Sequence, residues 1–283
     1  MAQSITNAFV TLFDAEVKQA YQAESVLRSA VRLRSGVSAN TYKFPKLGKG
    51  SATVRIPQTD VTPLNVTYSQ VTATMSDYNA AEYSDIFHQA KVNFDERSEL
   101  VQVVSKAIGR RLDQLIIDAL SGASSPNTVA NTVVTSGTAT ASNLNVGKLI
   151  AAKKAMDAKN VPLDDRHILI HANSLAGLLG DERAISGDYA SIKGLVSGEL
   201  NTFLGFKFIT IGDRDEGGLS VDGSSDRKVY AFHRSAIGMA ENMAQKTEIN
   251  YVPEKTSFLV NSMFSAGSIA IDDEGITEVT CRE

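Results

Sequence analysis

His167 and His171 are the residues best spaced for chemistry, four positions apart. On a helix such a pair shares one face and can bind a metal ion. Here they close the run His-Ile-Leu-Ile-His, whose branched apolar centre predicts a strand. No Glu follows His167, as the zinc-protease pattern requires. The pattern therefore predicts strand-end histidines with a structural role. Gly147-Lys148 has the outline of a phosphate loop, but position 142 is Ser where the loop needs Gly, and position 149 is Leu where it needs Ser or Thr. With the backbone cradle and the magnesium hydroxyl both missing, nucleotide hydrolysis by that route is excluded. Gly48-Lys49-Gly50-Ser51 reads as a flexible hairpin tip. No Gly-x-Ser-x-Gly elbow occurs. Asp213, Asp215 and Glu216 open like a calcium loop, yet Ser224 stands where the bidentate Glu belongs. Cys281 is the only cysteine, so no intrachain disulfide or thiolate cluster can form. Asn65-Val66-Thr67 matches a glycosylation triplet, but Met1 to Val10 lacks the basic-then-apolar order of a secretory signal. These residues predict no catalytic site, no metal and no cofactor.

The elements that would carry these residues suggest assembly instead. A chain of 283 residues with 43% hydrophobic and 21% charged content can bury a real core, and global disorder is excluded. A net charge of -4 excludes coating nucleic acid by bulk charge. The first fifty residues carry seven Lys or Arg against three acids, whereas the last 23 carry five acids against one Arg. A basic head and an acidic tail can attract each other between copies, or stand as two solvated faces. No stretch approaches a membrane span, and the expectation is a protein made and kept in the cytoplasm of its producing cell.

Residues 7–34 predict an amphipathic helix, with Phe9, Leu12, Phe13, Val17, Ala20 and Tyr21 on one face. Residues 35–78 turn to Ser, Thr, Gly and Pro, with strands expected at Thr53–Ile56 and Asn65–Met75. The apolar parity switches between Val66, Tyr68 and Val71, Ala73, Met75, which predicts a bulge or twist. This stretch reads as a long β-hairpin arm. Residues 93–120 predict a spine helix, capped by Asn93 and Glu96, with Val101, Val104, Ile108, Leu112, Leu115 and Ala119 at steps of three and four. A loop or exposed hairpin is expected at 121–142 and a second helix at Asn143–Asn160. A buried strand follows at Arg166–His171, then a short helix at Asn173–Leu179 and Gly-rich segments from Gly180 to Gly205. Strands are expected near Phe206–Ile211, Lys228–Phe232, Lys246–Val252, Ser257–Ile271 and Ile276–Cys281, with a polar loop at Asp213–Asp226. The class is α+β.

In that order the elements resemble the major capsid protein of tailed bacteriophages, the Hong Kong ninety-seven type fold. Ala107-Ile108-Gly109-Arg110-Arg111-Leu112-Asp113, followed by Leu115-Ile116, resembles the end of that family's spine helix. Arg227-Lys228-Val229-Tyr230-Ala231-Phe232-His233-Arg234-Ser235-Ala236-Ile237-Gly238 resembles its axial-domain strand pair. Asp272-Asp273-Glu274-Gly275 resembles the turn before its last strand. The resemblance implies an N-terminal arm at 1–38, an extended β-loop at 39–78 and an axial domain at 143–252. It also implies a peripheral domain made of 79–142 and 253–283.

The resemblance further implies a function without catalysis. Subunits would close into hexamers and pentamers that tile an icosahedral shell around double-stranded DNA. Lys43, Lys46, Lys49 and Arg55 of the β-loop would lie across the adjacent subunit. Some members join an arm lysine to a peripheral asparagine; here that would be Lys46 or Lys49 with Asn261. The 38 residues ahead of the loop imply a separate scaffolding protein, with a portal and possible decoration proteins as further partners. Two other readings stand beside this one. One is an encapsulin, a bacterial compartment shell of the same fold. The other is a hydrolase using His167 or His233.

Overall fold

A computed structural model describes residues 22–92, 95–135, 137–181 and 202–283. From residue 22 the chain has no regular structure up to a 3-10 turn at Arg28–Ala30 and then forms β1 (Arg32–Arg34). A hairpin follows, β2 (Thr41–Leu47) with β3 (Tyr68–Thr74), and then β4 (Ser76–Asp85), α1 (Ile86–Gln89) and the long α2 (Glu96–Ser121). Next come β5 (Asn127–Val129), α3 (Val146–Ala158), β6 (Arg166–His171), α4 (Ala172–Leu179), β7 (Thr202–Phe203) and β8 (Phe206–Ile211). The chain closes with β9 (Asp226–His233), β10 (Ile237–Val252), β11 (Ser257–Ala270) and β12 (Ile276–Arg282).

Helix α2 runs 26 residues, roughly 39 Å at 1.5 Å per residue. Glu96 and Glu99 in its first turn complement the positive end of the helix. Its stripe Val104, Ile108, Leu112, Ile116 and Leu120 is buried and lies on a four-stranded sheet of order β1-β10-β11-β4. There Phe264 of β11 stacks on Tyr78 of β4 at 5.1 Å. A six-stranded sheet of order β5-β12-β9-β6-β8-β7 stands beside it. One face packs Ile168, Ile170, Val229 and Val279 against Leu149, Ala152 and Met156 of α3. The other face sends Leu169, Tyr230 and Phe232 into the core that contains α2. Being covered on both faces explains why every residue of β6 is buried.

Most expected elements form within a few residues of their expected ends. The described part of the expected N-terminal helix differs: 22–34 is irregular chain, a 3-10 turn and a strand, and residues 7–21 lie outside the described residues. Leu27, Ala30 and Val31 are drawn into the core, and that burial outweighs local helix periodicity. No strand forms at Thr53–Ile56, because nothing across the hairpin pairs with it. Of the expected bulge or twist, the bulge is absent. β2 and β3 pair in unbroken register from Thr41↔Thr74 to Leu47↔Tyr68. Val66 simply lies outside the strand, while Ala73 and Met75 face the body. The expected cap Asn93 lies outside the described residues, and Asp95 occupies the N-cap position. Sheet membership also cuts across the expected ranges. β10 and β11, on either side of 252/253, pair from Ile237↔Ala270 to Val252↔Ser257. β12 hydrogen-bonds into the six-stranded sheet beside β9. Strand pairing decides both: the short turn at Pro253–Lys255 folds β11 back on β10, and β12 returns to β9 from farther along the chain.

Candidate functional site

The hairpin is seated by one aromatic side chain. Alternation along β2 turns Phe44 inward, where it packs with Ala73, Met75, Ala240 and Ile271. Gly238 makes room for it, since a Cβ there would come within 2.7 Å of the Phe44 ring and of Ile271. Lys46 shares the inward parity, and its Nζ donates to Asp272 Oδ1 at 2.9 Å. Lys49 donates to Glu274 Oε2 at 2.6 Å, and that hydrogen bond holds its ammonium above the usual lysine range. Lys43 and Arg55 are exposed. The structure thus brings two of the four expected contact residues onto the acidic turn of their own chain. Asn261 lies elsewhere, on β11 between Glu248 and Ala81.

Beyond Leu47 and Tyr68 the hairpin opens into a strandless tip, residues 48–67. Val54 and Val61 are 93% and 92% exposed, and Leu47, Ile56, Leu64 and Tyr68 are exposed with them. A patch of this kind on a projecting arm marks a contact surface. The acidic turn at its base is built to be rigid. Asp272 accepts from the Glu274 backbone, Asp273 accepts from the Ser125 backbone at 3.0 Å, and Asn127 Nδ2 donates to the Glu274 and Ile276 carbonyls. Gly275 packs so closely that an added Cβ would meet that of Ala236 at 2.8 Å. The basic head and acidic tail do meet, within one chain.

The N-terminal segment is attached differently. β1 runs parallel to β10, from Arg32↔Gly238 to Arg34↔Ala240. Arg28 donates Nε and Nη2 to the two oxygens of Glu241 at 2.9 and 2.8 Å. The Ser25 hydroxyl and the Val26 and Leu27 backbone N–H groups donate to Asp113 of α2, which is wholly buried. Neither Glu241 nor Asp113 stood out in the sequence as a contact residue. The available signal was a carboxylate beside Leu112 inside the apolar stripe of the spine helix.

The chemical candidates resolve as architecture. His167 and His171 sit on one strand, about 13 Å apart at 3.3 Å per residue, too far to share a metal. His167 stacks on Phe232 at 5.8 Å and faces the Asp165 carbonyl at 3.1 Å; burial holds its imidazole below the usual range. His171 caps α4 by accepting from the Asn173 N–H at 3.2 Å, and its Nε2 lies 3.1 Å from Asp213. His233 caps the 3-10 turn Arg234–Ala236 in the same way, and burial lowers it too. Lys148 is buried and donates to the carbonyls of Ser142, Asn143 and Thr280. The buried Cys281 thiol is pushed up to about 11 by desolvation. A cavity beside the 212–219 loop is lined by Arg110, Arg214 and Arg227 and equally by Asp213, Asp215 and Glu216, a balance that favours neither anion nor cation. Among the described residues, no group of three or more His, Cys, Asp or Glu could hold a metal.

Comparison with known proteins fits this geometry. The family described as phage capsid protein matches residues 5–283. No curated protein matches the chain. Among solved structures, the fold is similar to the capsid of cyanophage P-SCSP1u, with TM-score 0.76 and 15% identity, covering 100% of this chain and 96% of that one. It is similar to the head of Helicobacter pylori bacteriophage KHP40, with TM-score 0.76 and 15% identity over 99% and 97% of the two chains. Mycobacterium phage Che8 gives TM-score 0.69 and 15% identity over 98% of each chain. At such identity the structural likeness speaks to the fold, and the family match speaks to the kind of protein.

Proposed function

Because the chain belongs to the phage capsid protein family, we propose a specific division of labour for its role as a structural subunit of the virion capsid. The six-stranded sheet with α3 and α4 is the axial unit that lines the centre of a ring of subunits. The four-stranded sheet with α2 is the peripheral unit. The hairpin reaches across the adjacent copy, with Lys43, Arg55 and the apolar tip as its contact residues. Rings of six and of five then tile a closed shell around DNA, because a head-to-tail contact that closes gives a ring. A separate scaffolding protein directs closure, a portal occupies one vertex and decoration proteins can bind outside. The chain carries no catalytic role in this reading. The family match favours neither the compartment-shell reading nor the hydrolase reading.

The observation that carries this proposal is the exposed tip at 48–67 on a base seated by Phe44. A rigidly rooted arm with an uncovered apolar end fits covering by a neighbour. The test is electron microscopy of the purified full chain, with mass by light scattering. Closed rings or shells of megadalton mass are expected. Exchanging Val54 and Val61 for Asp should abolish them and leave a folded monomer. Shells that form unchanged from that variant would sink the role given to the tip. A wild-type monomer that stays single with scaffold supplied would sink the assembly reading.

A further inference from the structure

One buried carboxylate joins three parts of the molecule. Asp113 lies in the row Gly109, Asp113, Ile116, Leu120 of α2 and is 0% exposed. Its Oδ1 accepts from Ser25 Oγ at 2.8 Å and from the Leu27 N–H at 3.1 Å. The Val26 N–H lies 3.2 Å from each oxygen. Its Oδ2 accepts from Arg214 Nη1 at 2.9 Å. The Arg214 side chain is 7% exposed and belongs to the loop between β8 and β9 of the six-stranded sheet. So the N-terminal segment, the helix under the four-stranded sheet and a loop of the other sheet meet at one charge.

The surroundings are shaped for this meeting. Gly109, one turn before Asp113, lets the segment lie on the helix; a Cβ there would come 3.3 Å from the Ser25 nitrogen. On the other side Gly217, at φ +77, brings the loop down onto α2, where its N–H donates to Gln114 Oε1 at 2.9 Å. A Cβ at Gly217 would come 2.7 Å from the Arg110 carbonyl. Among the described residues, no hydrogen bond joins Arg214 to the N-terminal segment. Both act on the same carboxylate. An ionised carboxylate out of water is costly unless it is both hydrogen-bonded and paired with an opposite charge. The neutral donors at 25–27 supply no counter-charge, and Arg214 does.

We propose that Asp113 and Arg214 form a joint in which docking of the 212–219 loop sets how firmly the N-terminal segment is held, and conversely. Arg214 is a positioning residue for the segment and acts through Asp113. The coupling is reciprocal, because both partners bias one shared group. Within the capsid reading, on which this consequence rests, a neighbour that presses or lifts the loop would tighten or release the chain leading to residues 1–21.

Hydrogen–deuterium exchange of the full chain before assembly tests the joint, read at peptides covering 22–31, 212–219 and, as a control for the fold, 146–158. Ser25→Ala is the mild variant: it removes one donor from the segment and touches no residue of the loop. Exchange at 212–219 is expected to rise several-fold, with 146–158 unchanged. Arg214→Met is the reverse experiment, and exchange at 22–31 is expected to rise about tenfold, the equivalent of one charge-assisted hydrogen bond. Arg214→Lys, which keeps the charge, should stay near wild type. Wild-type exchange at 212–219 in Ser25→Ala would overturn the proposal. So would wild-type exchange at 22–31 in a folded Arg214→Met. If Arg214→Met loses protection at 146–158 as well, Ser25→Ala decides alone. The readout does not depend on whether the chain builds shells, so failure here and failure of the capsid reading are separate results.

Discussion

Two parts of this molecule, the N-terminal segment and the β2–β3 hairpin, are tied to the body by charged pairs in opposite surroundings. For the segment, the carboxylates Asp113 and Glu241 are 0% and 3% exposed. For the hairpin, the Lys46 and Asp272 side chains are each 38% exposed, and those of Lys49 and Glu274 are 74% and 37%. A buried carboxylate that loses its partner leaves an unpaired charge in low dielectric, whereas an exposed one is taken over by water. The segment's ties therefore belong to the fold. The hairpin's ties adjust its position while Phe44 holds its base. A subunit that must meet several neighbours is well served by that difference.

The sharpest way to break the comparison is Asp113→Ala. It leaves Arg214 buried without its partner and strands the backbone donors of Val26 and Leu27. A loss of about 3–5 kcal/mol is expected, measured by denaturant unfolding of the unassembled chain. A loss no larger than that of a surface substitution would remove the distinction between the two attachments.

Glu241→Gln should cost less, because Arg28 is half-exposed and can turn to water. About 1.5 kcal/mol is expected, the low end for hydrogen bonds to a charged group. Exchange at 22–37 should rise with it, since β1 and the Val37 N–H both engage this stretch of β10. Unchanged exchange there would mean that Asp113 holds the segment alone.

Reversing the hairpin charges, Lys46→Glu with Lys49→Glu, should leave the melting temperature nearly unchanged. Protease cutting within 48–67 should nevertheless speed up, and high salt should do the same to the wild type. A large fall in melting temperature would place these pairs in the same class as Asp113.

How much of this was legible before folding depends on the range of the interaction. Helix α2 was readable because Val104, Ile108 and Leu112 repeat at a local period. β6 was readable because a run of branched residues between two histidines has no helical face to offer. The hairpin lysines read as contacts to an adjacent subunit, and the acids they meet within the chain lie 226 and 225 residues away. Asp113 was harder still. A carboxylate on a helix is read as part of the solvated face, and its partners are 86 to 101 residues distant. Thr53–Ile56 erred the other way: it alternates like a strand and has no strand to pair with. Likewise, two of the changeovers between sheets fall at the short turns Arg234–Ala236 and Asp273–Gly275, and a turn by itself does not say which sheet the next strand joins.

The smallest expected effect separates the hairpin from the body by sign. Burial holds His167 and His233 below the usual 6.5. Above pH 6.5 both are neutral whether the chain is folded or not, so that stability is fully present. Below it the unfolded chain binds protons that the folded chain refuses. Stability is then lost as pH falls from 6.5 toward the lowered folded values. Lys49 runs the other way. Glu274 holds its ammonium above 10.5, so that pair is complete below 10.5 and is lost as pH rises through the folded value. Acid should therefore lower the melting temperature, with His167→Gln removing part of the drop. Alkali should free the hairpin first, seen as falling anisotropy of a fluorophore placed at the tip. If tip anisotropy falls in acid together with the melting temperature, the hairpin is not held independently of the body. The contrast between buried and exposed attachment would then have to be given up.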